Sequence, residues 1–501
     1  MYIAGIDLGT TNFKAGLYRT DGTHAASASR PAPTRQHPGG YAYYDPEEMW
    51  NIVSELLRDI MQQAPPGELA CIGITSMAES GVLLDRRTGE PRSHFMPWFD
   101  TCSQPQAERI AASADLFERF TRSGLRISYK LGLAKLLWIK DHQPEALNNS
   151  VWISASGYIA YRLTGAFAVD YTLAARTYAF RLDKKTWDKE WIRSFGLHED
   201  LFPEAVPSGA KVGKVHAEAS ARTGIPQGVP VAIGGHDHVC AALAVGAIRP
   251  EQVYDSMGTA ETLVGSFAER PLTREDYESG LSFGCHIVPG TYFWMGGNSA
   301  SGGSLEWLRA QLGDPPLSYE TIQAMLDSMN PEPTGILYYP YLSGSGAPLP
   351  DSRAKAAWIG LTKAHGRKDL LQSVLEGTAY QLEAIRRCAE QVSGRPITGI
   401  RVVGGGTRIA RWLQIKADVT NCRLELPPVQ EATMLGAAMA AGIGCGLYQS
   451  AEDAAASVRA GQSRWIEPDP DRHLEYKRLY EEGYAALQQA LRQVYPRLKA
   501  E

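Results

Sequence analysis

Apolar residues run from Tyr2 to Leu8 and again from Phe13 to Tyr18, separated by the small polar set Gly9, Thr10, Thr11 and Asn12. Two apolar runs around a short Gly-containing break predict a strand, a tight turn and a second strand. The period then changes. Pro46 opens a stretch in which Met49, Ile52, Val53, Leu56, Leu57 and Ile60 fall at helical spacing, which predicts an amphipathic helix with Pro at its start. Cys71 to Thr75 and Val82 to Leu84 read as short strands, Lys135 to His142 and Ala155 to Leu163 as helices, and Asp170, Tyr171 and Thr172 as the start of a turn. Val231 to Ile233 predicts a buried strand, Gly234 and Gly235 a sharp turn, and His236, Asp237 and His238 the opening of a small-residue helix, Val239 to Gly246.

The second half repeats this plan. Gln252 to Met257, then Gly258 and Thr259, then Glu261 to Ser266 is again strand, turn, strand. Gly296 to Gly303 reads as a flexible loop before a helix over Ser304 to Leu312. Arg401 to Val403 predicts a strand that leads through Gly404, Gly405 and Gly406 into a helix from Ile409 to Asp418. Thr433 to Ile443 predicts a helix so rich in Ala and Gly that it must lie close against a neighbour or ligand. His473 to Leu498 predicts an amphipathic helix that covers a face. The alternation of strands and helices places the chain in the α/β class. With 501 residues it exceeds one ordinary core, so two related halves are expected, 1–247 and 248–501, divided near Ala247 to Pro250 by a cleft.

Composition narrows the partners. Hydrophobic residues are 44% and charged residues 21%, and the formal net charge is −5 with no basic tract. Nothing in that balance invites nucleic acid or an anionic membrane, so a small soluble partner is expected, and a homodimer is compatible with it. The most apolar window, Val229 to Ile248, is interrupted by Gly234 to His238 and does not suit a bilayer. Seven cysteines without paired spacing read as reduced packing residues, and no basic or apolar leader precedes the first strand. A cytoplasmic protein is the expectation.

Candidate chemistry gathers at strand ends. Asp7 lies near the end of an otherwise apolar strand, where a carboxylate is costly unless paired or near a cation. Gly9 lets a ligand approach, and Thr10, Thr11 and Asn12 offer donors in a concave turn of the kind that holds phosphate oxygens, with Asp7 toward an accompanying Mg²⁺. An ordinary hairpin with an Asp cap is the alternative reading. Asp237 sits at a helix start, beside the positive end of the dipole, and reads as a general base or an N-cap. His236 and His238 resemble a zinc pair but lack a third ligand at a usual spacing. Glu79 stands at a strand end, and Trp98 and Asp100 share a loop, which puts an aromatic face and a carboxylate together, with packing as the more common reading of such a ring. Gln36 to Asp45, rich in Pro, Gly and Tyr, is a second loop facing substrate. The turn at Gly404 is not a dinucleotide fingerprint, because Ile409 occupies the third small position, and no Walker or protein-kinase motif is present.

GIDLGTTNFK, SMAES, KLLWIKDH, GGHDH, DSMGTAE, VVGGGTRIARWLQIKAD and EATMLGAAMAAG, in this order, resemble the FGGY carbohydrate kinases of the actin, Hsp70 and hexokinase superfamily, and Ala356 to Glu376 matches that family's second signature. The resemblance implies two ribonuclease H-like (actin-like ATPase) domains with a central cleft, ATP and Mg²⁺ as cofactors, and xylulokinase-like phosphorylation of a small sugar. It implies that Asp7 organises Mg²⁺ and that Thr10, Thr11 and Asn12 hold the β/γ-phosphates opposite Gly258 and Thr259. Gly404, Gly405, Gly406 and Arg408 would border the adenosine and α-phosphate, and Asp237 would be the base, with Glu79, Trp98, Asp100 and His238 facing the sugar. This sequence differs from the family's patterns in places. Gly132 stands where the first signature has a small polar or Pro-like residue, and Ala78 stands where glycerol kinases carry the Arg of an Arg-Glu pair. The Met-His pair of xylulose kinases is also absent, so a ketose such as a pentulose or a sugar alcohol, of four to six carbons, is expected. A superfamily ATPase acting as chaperone or filament, and a non-catalytic sugar sensor, are the other readings. The first would lack a sugar loop and a base such as Asp237, and the second would have lost Asp7 or Asp237.

Overall fold

The computed structural model describes residues 1–63, 69–458 and 461–498. β1 (Tyr2–Leu8) and β2 (Asn12–Arg19) pair antiparallel with Leu8 opposite Phe13, and β3 (His24–Pro31) continues the meander. β4 (Leu69–Ser76) joins β1 in parallel, which requires a crossover. The crossover is α1 (Pro46–Gln63), whose buried face carries Met49, Val53, Leu56, Leu57 and Ile60. β5 (Lys211–Lys214) and β6 (Pro230–His236) complete the order β5-β6-β4-β1-β2-β3, with β6 parallel to β4. Every residue of β1 is buried, as a strand covered on both faces must be.

The second sheet repeats the first. β7 (Val253–Met257), β8 (Glu261–Ala268), β9 (Ser282–Cys285), β10 (Thr291–Asn298), β11 (Gly399–Val403), β12 (Arg423–Leu426) and β13 (Arg464–Ile466) run in the order β9-β10-β8-β7-β11-β12-β13. The runs β3-β2-β1-β4-β6 and β10-β8-β7-β11-β12 have the same connectivity, an antiparallel meander whose first strand continues into parallel partners.

Two helices fill the space between the sheets. α5 (Asp237–Ala244) and α9 (Ala432–Gly444) join Ile3 and Cys71 of the first sheet to Tyr254, Val264 and Phe293 of the second in one apolar cluster. The Ala/Gly content of α9 follows from this closeness. A Cβ on Gly436 would lie 1.8 Å from the Cys240 carbonyl oxygen, and one on Gly73 would lie 1.9 Å from that of Ala437. α9 therefore returns late in the chain to pack on β1, β4 and β6.

Three local expectations are corrected. β6 runs through Gly234 and Gly235 to His236 where a turn was expected, with a bulge at Gly235, whose φ is 115°. A Cβ there would lie 2.7 Å from Thr172 Oγ1, so the pair of glycines serves close approach. Gly296 to Gly303 is not a loop, because Gly296 and Gly297 belong to β10 and α6 (Ser301–Gln311) begins at Ser301. Its glycines fit against the second turn, since a Cβ on Gly302 would lie 2.5 Å from the Gly258 carbonyl oxygen. The C-terminal segment is broken into α10 (Pro470–Arg478), a π-helical stretch over Leu479–Ala485, and α11 (Ala486–Val494). It does more than cover a face, since Tyr476 and Tyr484 are fully buried in the second core.

Candidate active site

The β1–β2 turn is closed by Gly9 N–H donating to the Asn12 carbonyl at 3.1 Å, and Thr11 accepts from Ala32 N–H. Asp7 is the last residue but one of β1, buried, and its Oδ1 has no hydrogen-bond partner. Burial and the nearby Asp237 carboxylate push its pKa up to about 8, with Lys14 opposing. A buried carboxylate so placed asks for a cation. Among the described residues no cluster of three or more His, Cys, Asp or Glu could hold a metal. Mg²⁺ needs none, because it keeps several waters and takes one or two carboxylates plus phosphate oxygens. The orphaned oxygen of Asp7 beside the open turn fits that pattern.

Asp237 is the first residue of α5, reached through the bulge at the end of β6. The bulge is pinned, since Thr75 Oγ1 donates to the Gly235 carbonyl at 2.7 Å and His236 N–H donates to Thr172 Oγ1 at 2.7 Å. Thr172 and Ser208 hydroxyls in turn donate to Asp170, buried at the foot of the site. Asp237 Oδ1 lies 2.6 Å from His236 Nδ1 and accepts from His238 N–H at 2.7 Å. Burial alone would raise its pKa. His238, His236 and these hydrogen bonds outweigh burial and hold the carboxyl below its usual range, so it is ionised and able to accept a proton. Burial chiefly lowers the pKa of His238, with Asp237 opposing.

Glu79 follows β4 with a left-handed φ of 55°. Arg176, beyond the short helix α4 (Tyr171–Ala175), donates to Glu79 Oε1 from Nε at 2.6 Å and also from Nη2. Burial acts to raise the Glu79 pKa, but Arg176 and His236 hold it below its usual value. Glu79 thus takes its guanidinium partner from a residue 97 positions later. Lys135, on the helix Gly132–His142, reaches the carbonyls of Glu79, Met96 and Pro97 with one ammonium and so ties the turn at Glu79 to the loop at Met96 and Pro97. Burial pushes its pKa down to about 7. Trp98 Nε1 donates to Thr10 Oγ1 at 2.8 Å, joining this rim to the phosphate-type turn. Asp100 commits both oxygens to backbone, accepting from Ala42 N–H at 2.6 Å and Cys102 N–H at 2.9 Å, so it acts on the loop at 36–45.

On the second sheet, Gly258 N–H donates to Ala260 O, and Gly302 and Gly303 at the start of α6 donate to the carbonyls of Gly258 and Thr259 at 3.1 and 3.0 Å. Gly404, with φ 105°, lies against the same strand end, where a Cβ would come 2.6 Å from the Met257 carbonyl oxygen. A 3-10 turn over Gly405–Arg408 leads into α8 (Ala410–Thr420), with Gly405 and Arg408 exposed. Behind the turn sits a fully buried charge cluster that the sequence reading missed. Lys416 of α8 pairs with Glu261 Oε1, Ser301 Oγ donates to Glu261 Oε2 at 2.6 Å, and Asp255 on β7 has no partner for either oxygen. Burial and then Glu261 push the Asp255 pKa well above the carboxylate range.

Both halves meet at the HDH segment. The His236 ring lies 6.3 Å from Phe293 of β10, and His238 lies 6.3 Å from Tyr254 of β7. Two duplicated α/β sheets, each leading into a Gly-Thr turn with a carboxylate on the strand before it, define a two-domain protein of the actin-like ATPase fold. The comparisons make this specific. Residues 2–244 match the FGGY family of carbohydrate kinases, N-terminal domain, and residues 253–445 match its C-terminal domain, so the chain belongs to the FGGY family of carbohydrate kinases. It is similar to a xylulose kinase of Bacillus subtilis (strain 168), 29% identical over 91% of this chain and 90% of that protein. It is also similar to a glycerol kinase of Gloeobacter violaceus (strain ATCC 29082 / PCC 7421), 30% identical over 89% of this chain and 88% of that protein. A solved gluconate kinase from Lactobacillus acidophilus shares the fold with a TM-score of 0.91 at 23% identity, covering 99% of each chain. Among the described residues no helix is long and apolar enough to cross a membrane.

Proposed function

We propose that this protein transfers the γ-phosphoryl group of ATP to a hydroxyl of a polyhydroxylated chain of four to six carbons, with Asp237 as the base. The observation that carries the reading is Asp237 itself, ionised at a helix start and held by His236 within the field of Asp7. Phosphoryl transfer asks the protein for positioning and charge neutralisation more than for covalent help. Asp237 accepts the proton as the substrate hydroxyl attacks. Thr10, Thr11 and Asn12 hold the terminal phosphates from one side and Gly258 and Thr259 from the other, while Gly404, Gly405, Gly406 and Arg408 border the nucleoside. Asp7 would hold Mg²⁺, which supplies charge neutralisation on the phosphate oxygens. Glu79, with Arg176 behind it, reads substrate hydroxyls, and Trp98 and His238 line the same rim. Closure of the lobes 1–247 and 248–501 over both substrates excludes water, a competing nucleophile.

The test is Asp237→Asn. It keeps the fold and nucleotide binding and loses roughly a hundred- to ten-thousand-fold in kcat. A variant with near-native turnover on the substrate of the wild-type enzyme would remove Asp237 from the role of base.

A further inference from the structure

Three buried or half-buried cations surround Glu79. Lys135 is satisfied by three carbonyls. Arg176 is more than nine-tenths buried and uses Nε and Nη2 on Glu79, which leaves Nη1 buried with no acceptor. Lys130 lies with its ammonium 5.0 Å from the centre of the Trp98 ring and 6.0 Å from that of Tyr129. Among the described residues its ammonium has no ion-pair or hydrogen-bond partner. Glu79 answers one positive charge, and Asp100, the other carboxylate on the rim, is committed to Ala42 and Cys102. The hydroxyls of Ser76 and Ser80, on either side of Glu79, are buried and without partners as well. Arg176, Glu79 and Ser80 line one small pocket with Thr177 and Trp187. Donors exceed acceptors here, and one positive charge is unanswered.

We propose that the substrate of this site is a sugar acid, an open polyhydroxylated chain that ends in a carboxylate, and that Lys130 and Arg176 select it. The inference rests on the kinase reading above and adds the charge of the substrate to it. A neutral ketose or alditol brings hydroxyls, each a donor as well as an acceptor, and leaves the Lys130 charge unneutralised. A carboxylate is acceptor-only with about four lone-pair sites, and it takes charge-assisted bonds from an ammonium and a guanidinium together. An unpaired cation in a half-dry site is costly, so the substrate that supplies the missing anion is favoured. The placement suits a short chain, because the His238 ring lies within the electrostatic reach of Asp237 and also of Glu79 and Arg176. The reacting hydroxyl then lies at Asp237 and the carboxylate at the Lys130 end of the rim, away from the Asp237 charge.

The experiment compares, with Mg²⁺ and ATP, matched sets of aldonate, alditol and 2-ketose of the same five- and six-carbon configuration. The expected result is a kcat/KM for one aldonate about a hundred-fold or more above its alditol and ketose, as for a site built to bond a group that the analogue lacks. Lys130→Met reduces that ratio to below about tenfold through the KM of the acid, with the KM of ATP unmoved. Arg176→Lys, which keeps a charge opposite Glu79, also raises the KM of the acid. Preference for a neutral member overturns the inference and leaves the kinase reading intact. Loss of kcat in Lys130→Met on acid and neutral substrates alike, with their ratio unchanged, assigns Lys130 to the phosphoryl group and overturns it too. Failure to phosphorylate any member overturns both readings together.

Discussion

Lys14 stands directly across β1 and β2 from Asp7, yet its ammonium reaches to Glu431, 2.6 Å away at the entry to α9. The first phosphate-type turn is thereby tied to the helix that returns from the far end of the chain, and Asp7 is left without a contact cation. The Lys14–Glu431 pair is partly exposed and contributes little stability by itself. Its consequence is positional, because it draws the Lys14 ammonium away from contact with Asp7.

A carboxylate left open in this way is expected to act through a metal. Asp7→Asn replaces a desolvated carboxyl whose Oδ1 has no hydrogen-bond partner, so the thermal stability of the ligand-free protein holds or rises. The Mg²⁺ concentration at half-maximal rate rises about tenfold or more, in the range seen when a metal site loses a supporting group. Rate titrations against free Mg²⁺ check this, and superimposable curves for the two proteins would exclude Asp7 from the metal.

Glu79 and Arg176 are each only 10% exposed at the side chain, so their pair is desolvated and directional. Glu79→Ala leaves a buried guanidinium unpaired, and loss of one partner from such a pair costs about 3–5 kcal/mol. The melting temperature therefore falls. Kinetically, the KM of the carbohydrate substrate rises and the preference over its epimers shrinks, because an acceptor that reads hydroxyl geometry is gone. The KM of ATP stays nearly constant. A variant with altered ATP kinetics and intact epimer discrimination would show that Glu79 does not read the substrate.

The Lys416–Glu261–Ser301 contacts join α8, β8 and α6 directly behind the Gly258–Thr259 turn. Lys416→Met takes the cation away from Glu261 and lets the turn relax. KM for ATP is expected to rise several-fold more than kcat falls, and Glu261→Gln added to Lys416→Met recovers part of the lost stability by removing the buried carboxyl left without its partner. Additive losses in the double variant would mean that the two side chains do not act as a unit.

The strand-turn-strand repeat at the two turns was legible because alternating apolar runs and Gly-Thr breaks are local. The small-residue helix at 432–444 was legible as closely packed for the same reason, though its partner, the first sheet, was not. Arg176, Lys130 and Lys416 were invisible, since each acquires its meaning from residues brought near it by the sheets. Nothing in the run YTLAART marks Arg176 as the partner of Glu79. Gly234 and Gly235 were read as a turn because two adjacent glycines usually break a strand, whereas here they let β6 pass close to Ala437 and Thr172.

The last expectation concerns pH. Glu376, fully buried on the helix Arg367–Ser393, accepts from Thr334 N–H and Oγ1, from Gln372 at 3.0 Å and from Tyr476 OH at 3.3 Å. These bonds favour the charged form, but burial dominates and pushes the pKa up to about 7 from 4.5. Between those values the folded protein holds a proton that the unfolded chain has released. Stability from this group is therefore fully present below about pH 4.5 and is lost as pH climbs toward 7, with no further change above. The full span is roughly 3 kcal/mol. Glu376→Gln does not titrate and keeps an acceptor for Thr334, so its stability relative to the wild type should improve steadily from about pH 4.5 to 7 and then level off. Melting temperatures of both proteins across that range test it. Parallel curves would mean that Glu376 is already ionised in the fold, held by Thr334 and Tyr476, and that the C-terminal helix is anchored by a charge and not by a carboxylic acid.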